Sequence, residues 1–308
     1  MAGESESECP DWVRSQQRAS ELVVLPAGDD LGILKWNADD LLLVGTDQVL
    51  DGVHFDSSVH PPRAIGRKVM NRNLSDCAAM ACLPAAAVVT LALPRDRGID
   101  YAKEIYLGVQ EAGDVYACPI VGGDTASWPG KLVATVTIFG RSHGIEPVRR
   151  SGAKPGDIVC VTGPLGGSIR GRHMTFAPRI FEARQIIAGG LAATAMLDLS
   201  DGLSRDLPRL CAASGVGAVV RASAIPVHED AIELRRDGRS PVEHALHDGE
   251  DYELLFTCPV DRAAPMNPNH RTLPFVQIGT VTAEPGVWIE HDEDRREPLE
   301  PKGWDHSL

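Results

Sequence analysis

Acidic residues placed directly against apolar segments constrain this chain more than any other feature of its sequence. Each of these aspartates follows a glycine or a predicted strand, lies inside a predicted helix, or flanks a serine, and the set comprises Asp29, Asp30, Asp47, Asp76, Asp124, Asp198 and Asp201. Carboxylates rarely lie half-buried unless a cation compensates their charge. The folded chain must therefore bring positive charge to these residues, and Mg²⁺ suits an all-oxygen set of ligands best.

Taken singly, each aspartate also has a simpler interpretation as a helix cap or a turn residue. Gly122-Gly123-Asp124-Thr125 alone predicts a tight turn, although paired glycines also let backbone N–H groups approach a phosphate while the aspartate binds a metal. Arg150 is ordinarily a solvated surface charge, but in a phosphate site its planar guanidinium clamps an anion. The joint occurrence of several aspartates favours the cation site over the simpler interpretations.

Composition restricts the class of protein. The chain has 308 residues, which predicts two domains, and its 43% hydrophobic and 24% charged residues are typical of a globular protein. Acidic residues outnumber basic ones by 43 to 30, and the resulting net charge of −13 argues against nucleic-acid binding. No apolar stretch is long enough to span a membrane and the N-terminus does not resemble a secretory signal, so we expect a cytoplasmic protein without a membrane partner.

The seven cysteines are scattered, odd in number and without a Cys-x-x-Cys pair, which predicts buried, reduced thiols instead of a disulfide framework or a zinc site. The glycines at 163, 166 and 167 follow a predicted strand but lack the spacing of a dinucleotide-binding loop. No P-loop occurs in the chain. Rossmann and P-loop folds are therefore poor interpretations.

Hydrophobic patterning predicts alternating strands and helices. Apolar runs predict strands at 40–46, 86–93, 132–139, 157–162, 195–199 and 254–258, and helices at 62–83, 101–112 and 203–213, with a turn at 121–125 and a linker near 143–147. Thr46, Asp47 and His54 begin where the first apolar run stops, which predicts polar side chains at the end of a strand. Gly215 is suited to end the last of these helices.

Seven ordered segments carry a resemblance to a known family: 28–30 (GDD), 46–55 (TDQVLDGVHF), 73–80 (NLSDCAAM), 122–125 (GGDT), 150–157 (RSGAKPGD), 198–203 (DLSDGL) and 249–254 (GEDYEL). Together they resemble the thiamine-monophosphate kinases, and the closing 303–306 (GWDH) is similar to the C-terminal signature of that family. The wider superfamily includes aminoimidazole ribonucleotide synthetase, selenophosphate synthetase and a hydrogenase maturation factor. This chain has no cysteine after Cys258 and no cysteine-bearing N-terminal glycine loop, which argues against the last two.

The resemblance implies an α+β protein with a two-domain aminoimidazole ribonucleotide synthetase-like fold. Residues 1–146 would form an N-terminal ATP- and metal-binding domain whose sheet pairs across a homodimer. Residues 147–308 would form a C-terminal α/β domain that covers the nucleotide and completes the substrate site. The implied cofactors are ATP and several Mg²⁺ ions, with K⁺ as a further candidate.

Carried over residue by residue, the resemblance also implies a set of site residues. The metal ligands would be Asp29, Thr46, Asp47, Asp76, Asp124, Asp198 and Asp201. The nucleotide contacts would be Tyr106, Gly123, Asp124, Arg150 and Ser200, and the substrate contacts His54, Glu250 and Trp304.

The implied reaction is phosphorylation of thiamine monophosphate by ATP, giving thiamine diphosphate by direct in-line transfer. A phosphate monoester has a second pKa of about 6, so the attacking oxygen is already ionised at neutral pH and no catalytic general base is expected. Two alternatives stay open at this point. One is a related ATP-dependent kinase or synthetase acting on another small acceptor, and the other is a catalytically silent nucleotide-binding homologue.

Overall fold

The computed structural model describes residues 20–25, 29–37, 39–234, 237–263, 275–291 and 295–303. In chain order the strands are β1 (Val23–Leu25), β2 (Gly32–Lys35), β3 (Leu41–Leu50), β4 (Leu83–Pro94), β5 (Ile120–Trp128), β6 (Val133–Arg141), β7 (Ile158–Val161), β8 (Ala195–Asp198), β9 (Gly217–Arg221), β10 (Leu254–Cys258), β11 (Val276–Thr282), β12 (Gly286–Glu290) and β13 (Arg296–Pro298). The α-helices are α1 (Pro62–Ala79), α2 (Ile99–Val115), α3 (Arg172–Thr175), α4 (Ile180–Ala188), α5 (Leu203–Ser214), α6 (Glu229–Glu233), α7 (Pro241–His247) and α8 (Val260–Ala263). Short 3₁₀ turns lie at Ser168–Arg170 and Ala222–Ala224.

The strands form two sheets, one in each half of the chain, and this confirms the predicted α+β class. The first sheet has the strand order β1-β2-β3-β6-β4-β5, and the second has the order β13-β12-β9-β11-β7-β10-β8. Neighbouring strands are antiparallel except for β4 with β5 and β9 with β12. The first sheet ends at Arg141 and the second begins at Ile158, so the predicted domain boundary at 146/147 lies between them and stays a prediction.

Helices cover one face of the first sheet. Along β6, buried and half-buried residues alternate, and the buried Ala134, Val136 and Ile138 share a core with Ile65 and Val69 of α1. The intervening threonines of β6 lie on the opposite face. The edge strand β5 is exposed from Val121 to Trp128. Within the described ranges, no helix covers the opposite face of this sheet, and the edge at β5 is exposed.

The second sheet is buried on both faces at its strands β7, β8 and β10. Every residue of β10 is buried, with Leu254 and Phe256 in the core that contains α1 and with Leu255 in a second core that contains Leu203 and Leu207 of α5. Helix α1 therefore packs between the two sheets, and residues on that helix can contact loops of both halves.

The structure corrects two local predictions. Strand β3 continues to Leu50, so Thr46 and Asp47 lie inside it, paired with Thr137 and Val136. The segment 121–125 is part of a strand instead of a turn. It pairs so closely with β4 that a Cβ on Gly123 would lie 1.9 Å from the carbonyl oxygen of Val89.

Other local predictions are confirmed. Gly215 ends α5 in the left-handed conformation, at φ +68°. The six described cysteines are all buried and free, and Cys9 lies outside the described residues. Burial raises the pKa of the Cys118 and Cys211 thiols to about 12. Among the described helices, none is long and apolar enough to cross a membrane.

Helices α1 and α2 approach each other through glycine, which yields a stability prediction. A Cβ on Gly108 would lie 2.0 Å from the carbonyl oxygen of Arg63, and one on Gly66 would lie 2.0 Å from that of Ile105. In an uncrowded helix, Gly→Ala stabilises by roughly 0.5–1 kcal/mol. We expect Gly108→Ala to lower the free energy of unfolding by about 1–3 kcal/mol instead, because the backbones must separate. Denaturant unfolding measures the change.

Gly98→Ala is the matched control, since a Cβ there meets nothing within 4 Å. It should change the free energy of unfolding by under about 1 kcal/mol. A Gly108→Ala protein as stable as the wild type, or more stable, would contradict the close approach of the two helices.

Candidate active site

Three carboxylates from three separate elements form an acidic centre. Asp30 precedes β2, Asp76 lies on α1 and Asp198 ends β8. One oxygen of each lies within 4.8 Å of the others. The hydroxyl of Ser75 donates a hydrogen bond to Oδ2 of Asp198 at 2.5 Å, which orients that carboxylate. The three side chains can thus offer oxygen atoms to one cation.

The acidic centre carries more negative charge than its neighbours compensate. Burial, and then the nearby Asp30, raise the pKa of Asp198 to about 7. Burial, and then Asp198, hold the pKa of Asp76 well above its ordinary range. Arg150 pairs with Asp30, donating from Nη2 at 2.7 Å and from Nε at 3.0 Å. Among the described residues, one guanidinium pairs with this group of three buried or half-buried carboxylates, which leaves negative charge uncompensated. An all-oxygen donor set of this kind fits Mg²⁺.

Asp30 belongs to this centre although the resemblance implied Asp29 as the ligand. Asp29 instead accepts hydrogen bonds from the backbone N–H of Arg150, at 3.0 and 3.3 Å. Burial and the adjacent Asp30 raise the pKa of Asp29 to about 6. Both aspartates were visible in the sequence as a neighbouring pair, but their order alone does not indicate which side chain faces the other carboxylates.

The predicted ligands Thr46 and Asp47 lie on opposite faces of β3. The Asp47 carboxylate accepts a hydrogen bond from Nε of Arg72 on α1 at 2.6 Å. The Thr46 hydroxyl donates to the carbonyl oxygen of Val136 at 3.0 Å, on the open face of the sheet. The structure therefore brings the Asp47 side chain to the helix-covered side that carries Asp76, and it does not bring the Thr46 hydroxyl there.

A cavity of about 380 Å³, called here the first cavity, is lined by Arg72 of α1 and by residues that follow β8, so it lies next to elements that carry the acidic centre. Its walls include four predicted residues: His54, Ser200, Asp201 and Glu250. Ser200 and Asp201 lie two and three residues after Asp198 in sequence. Nδ1 of His54 accepts a hydrogen bond from the backbone N–H of Leu50 at 3.0 Å, so the proton of the neutral imidazole lies on Nε2.

Asp201 is held by neighbouring side chains. Arg209 pairs with its carboxylate and also with Asp206, and the backbone N–H of Asp201 donates to Asp206 at 3.0 Å. Asp201 therefore lines the cavity but lies outside the group of three carboxylates.

Glu250 is fixed in the wall of the first cavity by a buried cation. Nζ of Lys68 donates to both oxygens of the Glu250 carboxylate, at 2.8 and 2.9 Å. Glu250 and Tyr252 both have positive φ, +52° and +53°, and such left-handed residues cost roughly 1–2 kcal/mol each. The backbone N–H groups of these two residues donate to the carbonyl oxygens of Ser200 and Leu199, which keeps the strained loop beside Asp198.

Lys68 and Arg72 were missed in the sequence analysis. The sequence does carry a signal for them, because Lys68, Arg72 and Asp76 are spaced four residues apart and share one face of α1. The same four-residue spacing relates the buried Val69, Asn73 and Cys77, so a mostly apolar stripe and a charged stripe run side by side along this helix.

The predicted nucleotide residues Tyr106, Gly123 and Asp124 line a different cavity, of about 630 Å³, called here the second cavity. Strands β6 and β4 separate β5 from β3, and at roughly 4.8 Å per strand this places Asp124 about 14 Å from the strand that carries Asp47. Within one chain, the structure does not bring Asp124 to the acidic centre. Trp304 lies outside the described residues.

The raised pKa values predict how pH and Mg²⁺ affect stability. Asp198 has a pKa of about 7 against an ordinary value of 3.8, so between these values the folded state binds more protons than the unfolded state does. The contribution of this group to stability therefore falls as pH rises from about 4 to about 7. Mg²⁺ should raise the melting temperature more at pH 7.5 than at pH 5.5, because protons compete for the same oxygens.

Thermal unfolding with and without Mg²⁺, at constant ionic strength, measures both increments. Without Mg²⁺, Asp76→Asn should melt at a higher temperature than the wild type. Added Mg²⁺ should raise the melting temperature of this variant much less than that of the wild type. An increment that is equal at the two pH values, and unchanged in Asp76→Asn, would contradict a cation site at the acidic centre.

Comparison with known proteins identifies the family. The model of the AIR synthase related protein N-terminal domain matches residues 28–142, and that of the C-terminal domain matches residues 173–292. The thiamine-monophosphate kinase of Rhodopirellula baltica is 37% identical, with 96% of this chain and 95% of the relative covered. That of Aquifex aeolicus is 34% identical, with 91% and 92% covered.

Solved structures lead to the same family. AaThiL complexed with AMPPCP and TMP superposes with a TM-score of 0.84 at 32% identity, covering 98% of this chain and 97% of that one. The match extends through both sheets and through the loops that form the acidic centre and the first cavity. The chain belongs to the thiamine-monophosphate kinase family, with the two-domain fold of the AIR synthase related proteins.

Proposed function

We propose that this protein phosphorylates thiamine monophosphate with ATP, giving thiamine diphosphate and ADP. The observation that carries the proposal is the acidic centre of Asp30, Asp76 and Asp198 beside the first cavity. This arrangement lies in a chain that matches AaThiL, a protein solved with AMPPCP and TMP, over nearly its full length. The chemistry of the site fits this reaction in three respects.

The first respect is the state of the nucleophile. The acceptor phosphate has a second pKa of about 6, so its attacking oxygen is ionised at neutral pH without help from a side chain. His54, whose Nδ1 accepts a hydrogen bond from the backbone N–H of Leu50, is therefore not required as a general base. It would serve as a contact to the substrate. The protein needs to position the two reactants and to reduce the repulsion between them.

The second respect is charge. Asp30, Asp76 and Asp198 would hold Mg²⁺, with Asp47 beside them. Bound Mg²⁺ would neutralise charge on the phosphoryl oxygens as the group is transferred. Arg150 reaches this centre through Asp30 and contributes a positive charge that can face the nucleotide phosphates. K⁺ is a further candidate ion for the carboxylate and carbonyl oxygens nearby.

The third respect is the placement of the acceptor. Thiamine monophosphate combines an anionic phosphate with a cationic thiazolium ring and an aminopyrimidine. The first cavity presents Glu250, Ser200 and His54, so the heterocycles would lie against the Glu250 carboxylate while the phosphate points toward Asp198. Trp304, which follows the cavity residue Gly303 in sequence, would add a stacking surface.

We also propose that the protein acts as a homodimer in the cytoplasm. The open face of the first sheet and the exposed edge of β5 leave room for a second copy. Tyr106, Gly123 and Asp124 lie too far from the acidic centre of their own chain to serve it. Pairing of two first sheets would let the partner's Asp124 and Tyr106 complete the nucleotide site, which residues 147–308 would then cover.

ADP release in the presence of ATP and Mg²⁺, with and without thiamine monophosphate, tests the function. We expect release to depend on the acceptor, and the product to gain the mass of one phosphoryl group. Asp76→Asn should lower kcat at least about a thousandfold, since it removes charge stabilisation that acts mainly in the transition state.

Asp100→Asn is the matched control because Asp100 is a surface residue paired with Lys103; its activity should equal that of the wild type. Acceptor-independent or absent turnover by folded protein that binds ATP would refute the proposal. It would favour a silent nucleotide-binding homologue or a kinase for another small acceptor.

Mixed dimers test whether two chains share each site. Asp76→Asn and Asp124→Asn subunits, carrying different affinity tags, are co-expressed and the heterodimer is purified. If the partner's Asp124 completes the site, one of the two sites in the heterodimer has both substitutions and the other has none. We then expect about half of the wild-type activity per dimer, at twice the chain mass of 33.0 kDa.

If Asp124 serves its own chain, both sites of the heterodimer carry one substitution and activity stays at the level of the parent variants. That outcome, or a monomeric protein with full activity, would contradict the shared site.

A further inference from the structure

Lys68 is a fully buried cation that the chemistry described above does not use. It lies on α1, its side chain has no exposed surface, and its Nζ contacts both oxygens of Glu250. We propose that Lys68 is a positioning residue that fixes the Glu250 carboxylate for recognition of the acceptor's heterocycles. This inference rests on the proposed function.

The buried ammonium group of Lys68 has lost its hydration, and the Glu250 carboxylate replaces it. An ammonium group removed from water is costly unless an opposite charge and hydrogen bonds replace its hydration. Burial lowers the pKa of Lys68 to about 8, while the charge of Glu250 acts in the opposite direction. Since a methionine would fill a similar volume without this cost, stability alone gives a weak reason for a lysine at this site.

Glu250 needs an external anchor because its own backbone is strained. Gly249, Glu250 and Tyr252 all have positive φ, and the carboxylate lies at the end of a flexible side chain. Lys68 is 182 residues away in sequence and belongs to an 18-residue helix packed between the two sheets. The ion pair therefore links the loop of the second half to a long helix of the first half that has many buried residues.

The geometry leaves Glu250 able to bind substrate. Its side chain is 23% exposed and lines the first cavity, whereas Lys68 cannot reach the cavity itself. A carboxylate has about four acceptor positions, and Lys68 occupies one on each oxygen. The remaining positions can accept from an amino group, and the carboxylate can face a cationic ring. Any effect of Lys68 on the substrate must therefore act through Glu250.

Other groups near Glu250 do not replace this role. Nη1 of Arg72 lies 3.9 Å from Oε1 of Glu250, but Arg72 is hydrogen-bonded to Asp47. The hydroxyl of Tyr252 donates to the same oxygen at 3.4 Å, a longer contact. Among the described side chains that contact the Glu250 carboxylate, Lys68 makes the shortest contacts and reaches both oxygens.

Steady-state kinetics of Lys68→Met, Glu250→Gln and the double variant test the inference. We expect each single variant to raise KM for thiamine monophosphate about tenfold or more, with kcat within about threefold of wild type, as loss of a charged hydrogen bond to bound substrate predicts. The KM for ATP should stay unchanged. The double variant should be no worse than Glu250→Gln alone, because Lys68 acts through that carboxylate.

Arg67→Met is the matched control. Arg67 is the neighbouring cation on α1, half-exposed and paired with Glu111 on the surface, so its variant should have wild-type kinetics. Lys68→Arg, which retains the charge and the donors, should have a KM between those of the wild type and Lys68→Met. If Lys68→Met does not fold, as judged by thermal unfolding, Lys68→Arg and Glu250→Gln supply the same comparison.

The outcomes separate this inference from the proposed function. If the wild-type protein shows no acceptor-dependent ADP release, the proposed function and the role of Lys68 are both refuted. An active wild type, with an unchanged KM for thiamine monophosphate in Lys68→Met or with additive effects in the double variant, would overturn the role of Lys68 alone.

Discussion

Repulsion among Asp30, Asp76 and Asp198 is the interaction on which the rest of this structure depends. Three carboxylates whose oxygens lie within 4.8 Å of one another oppose folding at neutral pH, and burial strengthens the repulsion. The chain places one guanidinium, that of Arg150, against this charge. The deficit that remains is the property that a magnesium-dependent phosphoryl transfer requires, since the same cation that relieves the repulsion can bind the phosphate groups.

Helix α1 connects this electrostatic arrangement to the fold. One face of the helix carries three charged residues: Lys68 contacts Glu250, Arg72 contacts Asp47 of β3, and Asp76 belongs to the acidic centre. The opposite side approaches α2 through Gly66 and Gly108 at a distance that excludes side chains. Because one helix positions three charged groups, a displacement of α1 would disturb the first cavity and the acidic centre together. This placement explains why a helix with so many buried residues also carries buried charges.

The sequence predicted the chemistry of the site better than its geometry. Seven ordered segments led to the family and to four residues of the first cavity, and apolar patterning located α1, β6 and β10 within a few residues. The choice between Asp29 and Asp30 was not predictable, because neighbouring residues differ in direction only once the backbone is known. The 121–125 segment was predicted as a turn because glycines favour turns. In the structure the segment is a strand, and Gly123 is needed because its backbone lies too close to β4 for a side chain. The separation of Asp124 from Asp47 depends on the strand order of the first sheet, which local patterns do not encode.

In the proposed reaction, Asp30, Asp76 and Asp198 together bind the divalent cation. Anomalous diffraction from crystals grown with Mn²⁺, an ATP analogue and thiamine monophosphate tests this most directly. We predict a Mn²⁺ peak within about 2.0–2.3 Å of a carboxylate oxygen from each of the three aspartates. Full occupancy of both substrates with no Mn²⁺ at the acidic centre would contradict the claim.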